Sequence, residues 1–273
     1  MKQFKRIFLS VTMITILLAS MWAANLNHVQ AAPKPTSTPL PTATTTSGGA
    51  QKMAIPSYFY PGAYWTQLEN AAPVVGLAII NPNSGPGTAF DQNYYDETRR
   101  AQAKGILLLG YVHTSYGARA ASVVKAEIDQ FYSWYGVSGI FFDEASNDCA
   151  FQGYYLDLYN YVKAKGGAAE VVINPGTNTP ECYVTTADII LNFESTYRAY
   201  QTWAPSGWEF NYPAGRFWHL VIGASSANMP NAIALSKQRH AGWVYVTNDK
   251  LPNPWDTLPA DPYWTNELSL INQ

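Results

Sequence analysis

Acidic residues are missing from the first fifty positions, cysteine occurs only twice in 273 residues, and several signature motifs are absent altogether. Each gap removes a class of function. With no GxGxxG or P-loop after any apolar run, the chain offers no cradle for a dinucleotide or a nucleotide phosphate. With no GxSxG at such a place, a serine hydrolase of the nucleophile-elbow type lacks its elbow. Cys149 and Cys182 belong to no CxxC and have no nearby His pair, so no metal is expected. An even count in an exported chain points instead to a Cys149–Cys182 disulfide, which on the chain-entropy model stabilises by roughly 3 to 4 kcal/mol.

The missing acids also divide the chain. All 19 Asp and Glu follow residue 50, whereas four of the 17 Lys and Arg (Lys2, Lys5, Arg6 and Lys34) precede it. Residues 51–273 therefore carry 13 basic against 19 acidic groups, a formal charge of −6. Nucleic acid is a poor partner for such a surface. A neutral or cationic polymer is compatible with it, as is plain solubility.

Lys2, Lys5 and Arg6 precede an apolar segment at 7–24, and the small-residue stretch Val29-Gln30-Ala31-Ala32 follows. This reads as a secretory signal over residues 1–31, cut after Ala31. An uncleaved membrane anchor is the alternative that its length permits, and no Cys lies near it to accept a lipid. Residues 32–50, rich in Pro, Thr and Ser and with almost nothing apolar to bury, read as an extended tether suited to O-glycosylation or to spanning a wall. The folded domain is then 51–273. The protein is expected to be secreted, with wall association as a variant of that location, to keep no stable membrane contact once the signal is cut, and to be monomeric.

From residue 51 onward short apolar runs alternate with longer amphipathic stretches. The pattern predicts eight strands, at 53–60, 74–80, 106–113, 139–143, 170–174, 188–194, 217–222 and 242–247. Helices are predicted at 64–70, 92–104, 119–135, 152–165, 197–203, 230–239 and 263–271, with a short turn at 180–184 and Gly105 as a helix stop. Eight strands with helical connections point to one compact (β/α)8 TIM barrel. An open doubly wound sheet is the alternative. Runs such as VVGLAII, ILLLGYV and GIFF are apolar throughout, as burial on both faces of a parallel sheet requires.

In such a barrel, chemistry sits just past the strand C-termini. Polar residues recur there: Tyr60, Asn81, His113, Asp143 with Glu144, Asn174, Glu194, and Thr247 with Asp249. Asn81-Pro82 and Asn174-Pro175 also fit ordinary turns. His113 fits a structural histidine as well as a substrate contact. The acids are harder to explain as ion-paired surface groups. Strand alternation puts Asp143 on the face of Phe141, Glu144 on the face of Phe142, and Glu194 on the face of Asn192 and Ile190. Two carboxyl groups near each other at strand ends are what glycosidic cleavage needs, one protonated and one ionised. No cofactor is required. Aromatic residues agree with a sugar substrate: Tyr197, Tyr200, Trp203, Trp208, Phe210 and Tyr212 follow Glu194, and Tyr58, Tyr60, Tyr116 and Tyr154 lie near strand ends or helix starts. Core packing is the competing explanation for any single ring.

The stretches AIPSYFYP, GIFFDE, VVINPG, DIILNFE and GWVYVTND resemble the spherulin-4-like family of secreted (β/α)8 proteins, which includes fungal glycoside hydrolases acting on galactosaminogalactan. The similarity covers 53–271. It implies endo-hydrolysis of α-1,4-linked galactosamine or N-acetylgalactosamine in an exopolysaccharide, with the family's acids falling on Asp143, Glu144 and Glu194. An Asp of the fourth strand paired with an acid of the sixth also looks like the layout of retaining α-galactosidases. That implies Asp143 as nucleophile or stabiliser, Glu194 as acid/base and Glu144 as a tuning or substrate-binding group, with the reverse assignment open. Tyr58, Tyr60, His113, Asn174, Asn192, Tyr197 and Trp208 are the expected substrate contacts. The family name carries no activity of its own, so a non-catalytic carbohydrate-binding or coat protein is the second expectation.

Overall fold

The computed structural model describes residues 50–273, so the expected signal and, but for Ala50, the expected tether lie outside the described residues. Eight parallel strands run β1 Lys52–Ser57, β2 Val75–Ile80, β3 Leu107–His113, β4 Gly139–Asp143, β5 Glu170–Ile173, β6 Ile189–Thr196, β7 Phe217–Ile222 and β8 Trp243–Val246. Each pairs with the next. β8 returns to β1 through Lys52↔Trp243 and Met53↔Val244 and closes the barrel. The helices are α1 Ala63–Glu69, α2 Gln92–Ala103, α3 Ala121–Tyr135, α4 Gln152–Lys163, α5 Tyr197–Thr202, α6 Met229–Gln238 and α7 Tyr263–Ile271. Between β5 and β6 only a 3-10 turn, Glu181–Thr185, stands where a helix would.

Local chemistry accounts for the element ends. Asp91 caps α2 by accepting from the Asn93 N–H at 2.8 Å, and Gly105, at φ +81°, turns the chain into β3 as the sequence predicts. Cys149 and Cys182 are joined, tying the start of α4 to the turn before β6. Among the described residues no helix is long and apolar enough to cross a membrane.

Two layers of side chains make the core. Inside the barrel, Phe141 meets Trp218 edge to face at 5.8 Å. Outside, Tyr200 and Trp203 of the aromatic run after Glu194 pack under the helices and, with Phe193, enclose the buried His219, and the Arg239 guanidinium lies 4.6 Å over the Tyr200 ring.

The side-chain alternation runs unbroken through β3, β4 and β5, where Tyr111 pairs with Phe141 and Phe141 with Val172 on the inner face. In β6 it breaks. Ile190 pairs with Ile173 and Phe217, and Leu191 with Trp218, but Phe193 rather than Asn192 pairs with His219. This slip removes one residue from the count, as a bulge does. Without it Glu194 would share the outer face of Ile190, as strict alternation predicts. With it Glu194 pairs with Leu220 and faces inward, which corrects the expected grouping of Asn192 with Glu194.

β4 and β5 approach so closely at Gly139 that a Cβ there would overlap the backbone carbonyl of Glu170. Gly139→Ala is expected to cost about 2 kcal/mol and to lower the melting temperature by roughly 4–8 °C. An unchanged melt by circular dichroism would contradict this contact.

Candidate active site

Asp143 ends β4, and its two carboxylate oxygens are held separately. Oδ2 accepts from the Tyr111 hydroxyl at 2.7 Å and Oδ1 from the Asn174 amide at 2.8 Å. Burial and the Asp143 charge push the Tyr111 pKa far above its usual range, so its hydroxyl remains a donor. Burial also raises the Asp143 pKa, while the hydrogen bonds from Tyr111, the Glu144 backbone and Asn174 oppose the rise.

The second N–H of the Asn174 amide goes to Glu194 Oε2 at 2.7 Å. One nitrogen thus touches both acids, and their nearest oxygens can be no further apart than those two bonds laid end to end, 5.5 Å. Glu194 Oε1 accepts a longer bond, 3.3 Å, from the Trp255 indole. Burial, and next the Asp143 charge, raise the Glu194 pKa to about 7, against the lowering effect of Asn174 and Trp255. A carboxyl raised in the fold favours the native state in its protonated form. That contribution is present below the usual carboxylate range and is lost as pH rises through about 7.

Glu144 reaches the same cleft by a different device. Alternation would turn it away from Asp143, but β4 stops at Asp143 and Glu144 takes φ +50°, a left-handed conformation costing on the order of 1 kcal/mol. Thr114 holds it there. Its hydroxyl reaches the carbonyls of Glu144 at 2.8 Å and Asp143 at 3.1 Å and meets the Tyr155 hydroxyl at 2.9 Å. The Tyr116 N–H adds a bond to the Glu144 carbonyl at 2.6 Å.

The acids lie in a cleft of two adjoining lobes that share Asp143, Asn174, Glu194 and Leu251. One, of about 440 Å³, continues past Glu144, Tyr116, Gly176 and Thr196. The other, of about 240 Å³, continues past Tyr58, Phe141, Leu220 and Trp255. Among the described residues no cluster of His, Cys, Asp and Glu is arranged to hold a metal ion.

A family model described as spherulation-specific family 4 matches residues 52–271, nearly the whole of the barrel. The chain belongs to that family. It is 38% identical over 217 residues to Spherulin-4 of Physarum polycephalum, a match covering 75% of this chain and 65% of that protein's length. A crystal structure of Aspergillus clavatus Sph3 in complex with GalNAc superposes with a TM-score of 0.71 at 26% identity, covering 82% of this chain and 99% of that one. A chitinase from Chromobacterium violaceum, at 12% identity, TM-score 0.55 and 81% and 99% coverage, shares the fold. The barrel is of the glycoside hydrolase type.

In this spherulin-4 family member the cleft gathers Asp143, Glu144, Glu194, Asn174, Tyr58 and Tyr116 from the residues that the sequence singled out. His113 is beside it, with Nδ1 3.6 Å from Glu144 Oε2, but does not line it. Four others lie elsewhere. Tyr197 is buried at the start of α5 and donates its hydroxyl to Asn231. Trp208 donates to the Thr179 carbonyl and packs edge-on against Phe217. Asn192 is buried at the register slip, with no hydrogen-bond partner for its amide. Tyr60 belongs to a separate groove. Tyr60 and Asn192 were expected from their places on predicted strands, which fix height along the barrel but not direction, and Tyr197 and Trp208 from the aromatic run after Glu194, which core packing accounts for.

Tyr111, Trp255 and Leu251 were missed. Tyr111 shares the face of His113 and Asp143, a signal present in the strand pattern. Trp255 and Leu251 come from the Pro-flanked loop LPNPW after β8, where no periodicity exists to read.

Replacing Asp143 by Asn removes the negative charge that disfavours ionisation of Glu194, so the Glu194 midpoint is expected to fall below about 7. Carbon-13 carboxyl NMR titration of the Asp143→Asn protein measures it. An unmoved midpoint would show that the two acids are not electrostatically coupled.

Proposed function

We propose that this protein is an exported endo-acting glycoside hydrolase that cleaves α-1,4-linked galactosamine or N-acetylgalactosamine in an exopolysaccharide, using Asp143 and Glu194. The observation that carries the reading is the Asn174 amide between two carboxyls on the floor of a two-lobed cleft. Cleft on both sides of the acids leaves room for sugar on either side of the broken bond, which suits attack within a polymer. The lining includes three acids and no Lys or Arg, which suits a neutral or amino sugar. The GalNAc bound to Aspergillus clavatus Sph3 supports the substrate class.

The bound of 5.5 Å between the nearest oxygens suits the retaining arrangement, roughly 5 to 5.5 Å, better than the inverting one, about 6.5 to 9.5 Å. In this mechanism Asp143, ionised and held by Tyr111 and Asn174, attacks the anomeric carbon while the glycosidic C–O bond breaks. Glu194, protonated up to about pH 7, gives its proton to the leaving oxygen. Water then replaces the enzyme on the anomeric carbon, giving its proton to Glu194 and releasing Asp143. Glu144, with 42% of its side chain exposed in the larger lobe, is placed to bind substrate. Two carboxyl groups and water suffice for the reaction.

The secreted protein is expected to release reducing ends from galactosamine-rich polysaccharide, with activity falling above about pH 7 as Glu194 loses its proton. Asp143→Asn and Glu194→Gln are each expected to lower release by roughly 10²- to 10⁴-fold with the melt little changed. Normal turnover in both variants would refute the roles. Retention of the polymer by the unaltered protein with no release would favour a carbohydrate-binding coat protein.

A further inference from the structure

Outside the acid cleft lies a groove of about 460 Å³, formed by Tyr60 after β1, the loop between β2 and α2, and the first turn of α2. Two of its rings are unusually open, Tyr60 at 56% and Phe90 at 46% exposed. Single exposed aromatics are ordinary. These two are braced. Tyr60 stands edge-on to the buried Tyr94 at 5.3 Å, and its hydroxyl donates to Asp91 at 2.9 Å while accepting from the Asn93 amide at 2.7 Å. Phe90 stacks along the buried Tyr135 at 6.1 Å and leans on Tyr95 at 5.9 Å. Flat rings whose orientation is fixed before binding lose little freedom on contact, and their open faces match the C–H face of a pyranose.

The groove is separate from the cleft but near it in the chain. Tyr58 lines the smaller lobe and Tyr60 the groove, and two residues of chain separate their Cα atoms by roughly 7 Å at most. That distance is within the span of one polysaccharide chain that also occupies the acid cleft. The lining of the groove carries one acid, Asp91, and no Lys or Arg, the same charge character as the cleft.

We propose that this groove is a distal subsite that holds one sugar ring of the same neutral or amino-sugar polymer, stacked on Tyr60 and Phe90, so that long chains bind better than short ones. The proposal rests on the function proposed above for the acid cleft. Its ligand is a pyranose several units removed from the bond that is cut, and no chemistry occurs there.

The full chain carrying Tyr60→Ala and Phe90→Ala tests it in two ways. First, kcat/KM on galactosamine-rich polysaccharide is divided by kcat/KM on a short oligosaccharide of the same sugar. The ratio is expected to fall roughly five-fold or more relative to the unaltered protein, through KM of the polymer. Second, in a Glu194→Gln background that need not turn over, mobility in a gel containing the polysaccharide is expected to be less retarded with the double substitution than without it. Unchanged ratio and unchanged retardation would overturn the subsite. Lost retardation with no hydrolysis by any variant would uphold the subsite and sink the hydrolase. If circular dichroism shows the double variant unfolded, Phe90→Ser alone, on the exposed loop, is read by the same two measurements and decides in the same way.

Discussion

The Asn174 amide has two hydrogens to give and gives one to each of two carboxyl groups. Everything at the mouth of this barrel depends on that fork. Buried acids within a few ångströms of one another resist ionising together, and the fork allows the pair to stay close without both becoming neutral. It favours charge on both, while burial and mutual repulsion favour a proton on one. The balance falls unevenly. Asp143 has the additional short bond from Tyr111, whereas Glu194 has only the longer one from Trp255. A pair with its protons unequally held is the condition for one group to donate while the other attacks.

Backbone irregularity makes the fork possible. A regular β6 would turn Glu194 outward beneath the helices, and a regular continuation of β4 would turn Glu144 away from Asp143. The slip at Asn192 and the left-handed turn at Glu144 reverse both directions. Neither is free: the first leaves a buried amide without a partner, and the second requires the Thr114 hydroxyl and the Tyr116 N–H to hold the peptide. Both departures bear on the cleft, whereas a third slip, between Met53 and Ala54 of β1, lies at the start of its strand, and β3, β4 and β5 keep their alternation.

That contrast also explains how far the sequence could be read. Eight apolar runs, each bounded by turn residues, suffice to predict the strands and their order, because burial on both faces leaves a continuous signature and a helix between parallel strands leaves another. The acids stand out because charges ending a buried strand are costly unless used. Direction was not legible. Counting by twos put Glu194 with Ile190, since a register slip has no mark in composition. Aromatic abundance after Glu194 suggested a sugar platform, yet Tyr197, Tyr200, Trp203 and Trp208 pack against helices and β7. Trp255 comes from the irregular loop after β8, a contact 61 residues away in sequence that no local pattern encodes.

The anomeric form of the first product tests the central claim most directly, because it reports the spacing that the Asn174 fork imposes. Proton NMR of a galactosamine-rich oligosaccharide during early hydrolysis is expected to show the α-anomer appearing first and the β-anomer growing in only by mutarotation. Initial release of the β-anomer would mean that a water molecule attacks directly between the two acids, and would contradict a pair held within one amide's reach.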